Sequence, residues 1–369
     1  MSREVNIINA RKHFETFDAL RFFAFFKVFL LHIPIIAFPW FNFIKAGGGI
    51  GVQFFFVLSG FLITYIICEE KQQSGTIDLR NFFARRVLRI WPLYYLMVLI
   101  AYTTPYILVH LLKLSSSTEG YEPRLWISVL FLENYKMMFT HQHANVSPLS
   151  IMWSLCIEEH FYIIWGIALF FVNIKRLHKV IVLCIILGIL VRFVYYKYDV
   201  PTIDFFSNID LFAFGALPAY LYIEKREKLM IVATTIPLWV KLFFCSLLVI
   251  TVVAYSQAEN DKWFILGTTL LGLEFSLLLI FSLPGKNQIR IADSNMLSKI
   301  GKYTYGLYLY HILVINLLKQ IMIKENIGVD NFMGVILFFL LSLLFTFVCS
   351  ILSYHLFEKH FLKLKKYFI

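Results

Sequence analysis

An arginine and a histidine stand eleven residues apart in a stretch that is otherwise apolar except for one lysine: Arg21 to His32, with Lys27 between them and Pro34 close behind. On a helix that spacing is about three turns, so both side chains return to one face, about 16 Å apart along the axis. Neutral imidazole takes a proton from a hydroxyl at ordinary pH, which is general-base work. Such groups are costly in lipid, face a cavity or a partner, and mark function. The bland alternative for His32 is a core histidine held by a neighbouring carbonyl. A second cluster is Arg85, Arg86 and Arg89. Arg86 and Arg89 share a helix face, and their planar forks can clamp phosphate oxygens. Topology and lipid contact are the competing explanation. The third cluster runs from Trp153 to Tyr162, with Ser154, Glu158 and Tyr162 spaced by four into one stripe. Glu158 could orient a histidine or bind a hydroxylated substrate, while Glu159 and His160 read better as rim groups in water. The fourth runs from Tyr303 to His311. There Gly306 permits close helix packing, the tyrosines read as an interface belt, and His311 is a weaker polar candidate further in.

The elements that position these clusters must be membrane helices. The chain has 369 residues, 59% of them hydrophobic and only 15% charged, with a mean hydropathy of +0.73. A soluble protein of this size could not hide so much apolar surface. Lipid forces backbone groups to pair inside each segment, so the expected fold is all-α: a polytopic transmembrane helical bundle. The net charge of +11 sits in short basic loops, as cytoplasmic loops require, and this argues against nucleic acid as a partner. Five scattered cysteines, with no CxxC pair or metal spacing, read as small core hydrophobes. No metal site is expected. The glycine run at 47–49 and 51 lacks the Gly-Lys-Ser/Thr of a phosphate loop and reads as a tight turn.

About ten spans are expected, near residues 17–40, 52–68, 92–112, 151–172, 180–196, 209–223, 235–255, 263–283, 303–323 and 332–356. Pro92 would open the third, since proline suits a first helical turn. The polar start, 1–17, would lie in the cytoplasm. An even number of spans then makes both termini cytoplasmic, with every basic loop on that side and the long polar connection 113–150 outside. Residues 1–369 read as one membrane domain with no separate soluble domain.

These clusters, in this order, resemble the membrane acyltransferase 3 family. The arginine, ten residues and histidine of its opening pattern are matched by Arg21 and His32. Residues 17–21 (Phe17, Asp18, Ala19, Leu20, Arg21) are similar to its Leu-Asp-Gly-Leu-Arg start, with Ala19 where glycine is common. The blocks at 51–62, 86–94 (Arg-x-x-Arg-Ile-x-Pro-x-Tyr) and 153–162 (Trp-Ser-Leu-x-x-Glu) also correspond, as do 210–215, 304–311 and 353–359. Departures are mild: Thr304 replaces a common serine and His360 a frequent proline. Some members carry a further esterase-like domain, for which the tail here is too short.

The resemblance implies transfer of an acyl group, acetyl by default, from acyl-CoA to a sugar hydroxyl of a cell-surface polysaccharide or lipopolysaccharide at the inner, plasma membrane. The expected partners are acyl-CoA (acetyl-CoA), a carbohydrate or glycolipid acceptor and the lipid bilayer; oligomeric state stays open. In this reading Arg86 and Arg89, with Arg21, hold the donor phosphates. His32 activates the acceptor hydroxyl or carries the acyl group, and Glu158 orients His32 or the acceptor. Ser154, Tyr162 and His311 contact substrate. The competing function is a non-catalytic exporter of a polysaccharide or lipid-linked sugar that uses the same polar residues.

Overall fold

The computed structural model describes residues 13–34, 41, 45–111, 113, 119–256, 263–325 and 331–368. The polar start as far as Lys12, and the end of the first expected span at Trp40, lie outside these residues. The helices are α1 (Glu15–His32), α2 (Ile50–Ser74), α3 (Leu79–Tyr106), three short ones α4 (Leu125–Val129), α5 (Glu133–Thr140) and α6 (Ser147–Ile151), then α7 (Trp153–Phe171), α8 (Leu177–Lys197), α9 (Phe205–Glu224), α10 (Arg226–Thr235), α11 (Leu238–Ser256), α12 (Trp263–Phe281), α13 (Met296–Gly301), α14 (Thr304–Lys324), α15 (Phe332–Ser353) and α16 (Lys359–Leu364). No strand occurs among the described residues, only an isolated bridge between Tyr121 and Ala144.

Nine helical segments among the described residues are long and apolar enough to cross a membrane. They correspond to nine of the ten expected spans. The missing one is α1, which carries Glu15, Asp18, Arg21 and Lys27 within its 18 residues. Those charges raise the cost of lipid exposure, and α1 is accordingly packed inside the bundle, with Phe25 and Phe29 fully buried. Elsewhere apolar side chains stand exposed around the outside, among them Leu242, Phe243, Val249 and Ile250 of α11. That arrangement is stable when lipid covers them. The described cysteines are all free.

One expected boundary is wrong. The third span does not begin at Pro92. Helix α3 begins at Leu79, capped where Asp78 accepts a bond from the Asn81 amide at 2.9 Å, and continues through Pro92 to Tyr106. A side-chain cap fixes the start, and interior proline is tolerated where neighbouring helices satisfy the freed backbone. The arginine cluster is therefore helical and not part of a basic loop, with Arg85 buried, Arg86 half-buried and Arg89 exposed.

The basic loops gather at one end. Lys71 closes the end of α7 by donating to the carbonyls of Leu169, Phe170 and Val172. Gln72 reaches Glu224, Arg85 reaches the Phe368 carbonyl and Arg290 reaches Glu15. The Phe14 ring packs on Phe61, Tyr65 and Tyr222. The first and last described residues thus lie at this same end. At the opposite end Lys27 donates to the Ala46 carbonyl and Gln53 to Tyr255.

Helices α2 and α9 cross backbone to backbone at the centre. A Cβ on Gly60 would lie 2.0 Å from the Phe212 carbonyl oxygen, and one on Gly215 1.7 Å from that of Val57. Small residues allow this approach. Gly60→Ala or Gly215→Ala forces the pair apart and should cost roughly 1–3 kcal/mol, read as a lowered unfolding midpoint in detergent. Gly49→Ala, whose Cβ meets nothing within 4 Å, should leave the midpoint alone. An unchanged midpoint for both crossing variants would contradict the contact.

Candidate active site

Five helices, α1, α2, α3, α7 and α14, enclose a cavity of about 130 Å³. Its walls carry Arg21, Arg86, Arg89, Ser154, Glu158 and Tyr162, six of the eight residues singled out from the sequence. Helical phase selects them. Arg86 and Arg89 are one turn apart on the inner face of α3, with Arg86 over the Phe82 ring at 5.8 Å. Arg85, rotated by about 100°, points away to Glu70 at 2.9 Å. Arg21 pairs with Asp18, three residues back on α1. The lining therefore holds three guanidinium groups against one carboxylate, Glu158.

Glu158 does not meet His32. Its carboxylate accepts from the Tyr162 hydroxyl at 2.6 Å and the Ser59 hydroxyl at 3.2 Å. Tyr162 lies one turn along the same helix, which is why the four-residue stripe works as a unit. Ser154 and the Tyr308 hydroxyl are 2.7 Å apart. Glu159 is not a rim group in water: it is buried, with Trp91 donating to it at 3.2 Å. Nor do the tyrosines of α14 form a belt. The Tyr305 hydroxyl donates to the Ile90 carbonyl at 2.7 Å, and Tyr308 is buried.

His32 and His311 sit together, outside that cavity. The 16 Å of helix rise between Arg21 and His32 places the arginine in the cavity and the histidine beyond it. His311 is 0% exposed. It was expected to contact substrate, but its Nε2 lies 3.2 Å from His32 Nδ1 and its Nδ1 lies 2.5 Å from the Tyr308 carbonyl oxygen. His32 Nδ1 also lies 3.0 Å from the Val28 carbonyl oxygen. The hydrogen-bond network assigns both tautomers. A carbonyl only accepts, so His311 carries its proton on Nδ1 and leaves Nε2 as a lone pair. His32 Nδ1 then faces two acceptors and must itself be protonated. His32 Nε2 is left as a free lone pair with no hydrogen bond among the described residues. Sequence spacing could not show this pairing, because the partners are 279 residues apart. Ser59 and Tyr308 were missed for the same reason, although a serine inside the apolar run of α2 was a usable signal.

A family described as an acyltransferase domain, Acyl_transf_3, matches residues 14–355. The chain belongs to this acyltransferase family. The chain is similar to YrhL of Bacillus subtilis (28% identical over 363 residues, 93% of this chain and 54% of that protein). It is also similar to the peptidoglycan O-acetyltransferase OatA of Listeria monocytogenes (28% over 332 residues, 84% and 50%) and to the O-acetyltransferase OatA of Staphylococcus aureus (24% over 360 residues, 92% and 56%). The chain spans about half the length of these relatives. No solved structure matches it.

The tautomer assignment for this acyltransferase-family chain is directly measurable. Nitrogen-15 shifts of labelled histidines should show Nδ1–H for both His32 and His311, and His311→Ala should leave His32 in that form, because the Val28 carbonyl still accepts from its Nδ1. A wild-type His32 already in the Nε2–H form would contradict the network.

Proposed function

We propose that this chain is a multi-pass O-acetyltransferase of the plasma membrane, moving an acetyl group from acetyl-CoA to a hydroxyl of a cell-wall carbohydrate. Peptidoglycan is the acceptor class named for the Listeria relative. One observation carries the reading: a cavity walled by three arginines inside a membrane bundle, linked through Tyr308 to a histidine with a free lone pair.

The donor set fits a phosphorylated thioester. Guanidinium forks match phosphate oxygens, and the lining is cationic. The lined space is compact, about 130 Å³. Only the thioester end of a donor enters it, and the nucleotide stays at the basic end of the bundle, which this reading places in the cytoplasm under the positive-inside rule. Arg86 and Arg89 hold phosphate at the mouth, with Arg21 deeper. Glu158 balances these cations and fixes the hydroxyls of Ser59 and Tyr162 towards the arm. Ser154 and Tyr308 line the side nearest the histidine pair, where the Tyr308 carbonyl meets His311, and the acyl end passes them to reach His32.

Chemistry then falls to His32. Its Nε2 takes the proton of the acceptor hydroxyl, and the oxygen attacks the thioester carbonyl carbon. The carbon–sulfur bond breaks, and the imidazolium returns its proton to the departing thiolate. His311 does not touch substrate in this scheme. It is a positioning residue that, with the Val28 carbonyl, accepts from Nδ1 and keeps the proton there, so that Nε2 stays basic, much as a second group sets the tautomer of a catalytic histidine elsewhere.

Acetyl-CoA should raise the unfolding midpoint of the purified protein, and Arg86→Ala or Arg89→Ala should remove most of that rise. His32→Ala should keep it and lose transfer to a glycan acceptor by 10²-fold or more, the range for losing a general base. Wild-type protein that ignores acetyl-CoA would favour a polysaccharide exporter. His32→Ala protein that transfers at the normal rate would remove the base assignment.

A further inference from the structure

The segment that begins with α15 is longer than a membrane is thick. It runs from Phe332 to Tyr367, 36 residues, as α15, a π-helical turn over Tyr354–Glu358, α16 and a tight final turn over Lys365–Tyr367. A helix needs about 20 residues to cross a hydrocarbon core about 30 Å thick, and α15 alone has 22. The residues after Ser353 therefore emerge at headgroup level, at the end of the bundle where the basic loops gather. Arg85 of α3 holds the far end of the segment there. One of its terminal nitrogens donates to the Phe368 carbonyl at 2.7 Å and the other to Glu70 at 2.9 Å.

Helical phase divides this emergent part into three stripes. Phe357, Phe361 and Phe368 are half-buried, and the first two rings pack edge to face with centroids 5.1 Å apart. Glu358, the one acid from Ser353 to Phe368, is half-buried with them and accepts from the Ser353 hydroxyl at 3.0 Å. Lys359, Lys363 and Lys366, spaced by four and three, form an exposed basic stripe. Beside it Leu356, Leu364 and Tyr367 form an exposed apolar one, 73%, 42% and 69% accessible. None of the three lysines makes an ion pair among the described residues, and Lys366 lies over the Tyr367 ring at 4.9 Å. A basic stripe beside an apolar one is the pattern of a helix that lies at a membrane surface.

We propose that this face binds anionic phospholipid headgroups in the leaflet on the side of the basic loops. The three lysines meet headgroup phosphate, which a compact ammonium serves without fork geometry. Leu356, Leu364 and Tyr367 rest at the acyl boundary. Charge favours anionic over zwitterionic lipid, because clustered cations just beyond a membrane helix draw acidic lipids and the nearby Glu358 is turned to Ser353. Continuity favours lipid over a soluble partner. The apolar stripe extends the exposed side chains of α15, where Leu344, Val348 and Leu352 already face outward. Arg85 carries the contact to the arginine-walled cavity. It stands beside Arg86 on α3 and ties that helix to both α2 and the emergent segment, so a segment pinned to headgroups steadies the stretch of α3 that bears Arg86 and Arg89. The lipid site itself does not depend on the acyltransferase reading.

The test uses the full chain in phosphatidylcholine nanodiscs, without acetyl-CoA, and spin-labelled phosphatidylglycerol or phosphatidylcholine as probe. The motionally restricted fraction of each label reports which lipid the protein holds. Wild-type protein should prefer phosphatidylglycerol about 5-fold or more, what one lysine near an anionic surface contributes, and high salt should remove most of the preference. The triple variant Lys359→Gln, Lys363→Gln, Lys366→Gln should lose it, with an unfolding midpoint in phosphatidylcholine equal to wild type. Lys225→Gln with Lys228→Gln, exposed cations of another basic loop, should keep it. No preference in wild type, or the same preference in the triple variant, overturns the proposal. So does loss in the Lys225 and Lys228 variant to the same extent as in the triple one, which would mark a property of the whole basic end. A lysine-dependent preference in protein that ignores acetyl-CoA would leave the lipid site standing and sink the donor reading alone.

Discussion

A polar side chain inside a membrane bundle must find a partner or a cavity, because lipid offers it neither hydrogen bond nor counter-charge. That constraint organises this protein. Arg21 leans on Asp18, Arg85 on Glu70 and Arg192 on Asp210. Arg86, Arg89 and Glu158 are gathered around one internal space. His32 and His311 satisfy each other and two backbone carbonyls. The polar residues share an interior with buried phenylalanines and leucines such as Phe25, Phe161 and Leu309, and other apolar side chains cover the outside.

The histidine pair shows how the same constraint becomes chemistry. Buried His311 has its two nitrogens against one carbonyl and one neighbouring ring. The carbonyl dictates where its proton sits, and the lone pair this leaves on Nε2, together with the Val28 carbonyl, fixes the proton of His32 on Nδ1. A base is thereby prepared with no carboxylate next to it. Glu158, a natural candidate for that duty on spacing alone, is engaged by Ser59 and Tyr162 instead.

Much of this was legible in the sequence and some was not. Hydropathy located nine helices to within a few residues, because a run of apolar side chains long enough to cross lipid has few other uses. It misplaced the start of α3, where a local cap at Asp78 outweighed the proline. The grouping of Arg21, Arg86, Arg89, Ser154, Glu158 and Tyr162 followed from helical periodicity combined with the cost of burying charge. Contacts between distant segments did not follow. Nothing in the spacing ties Ser154 to Tyr308 or His32 to His311. Arg192 was passed over as one residue of an apolar run, although a lone cation in the middle of a span is itself a signal that an acid such as Asp210 faces it.

The central claim is geometric: donor and acceptor approach His32 from opposite ends of the bundle. Sealed vesicles carrying the protein in one known orientation test it most directly. With acetyl-CoA confined to the side of the basic loops and a neutral glycan confined to the other, acetyl ester should accumulate on the glycan, and reversing the two compartments should abolish it. Equal ester formation in both arrangements, or formation only when both substrates share one side, would contradict the account.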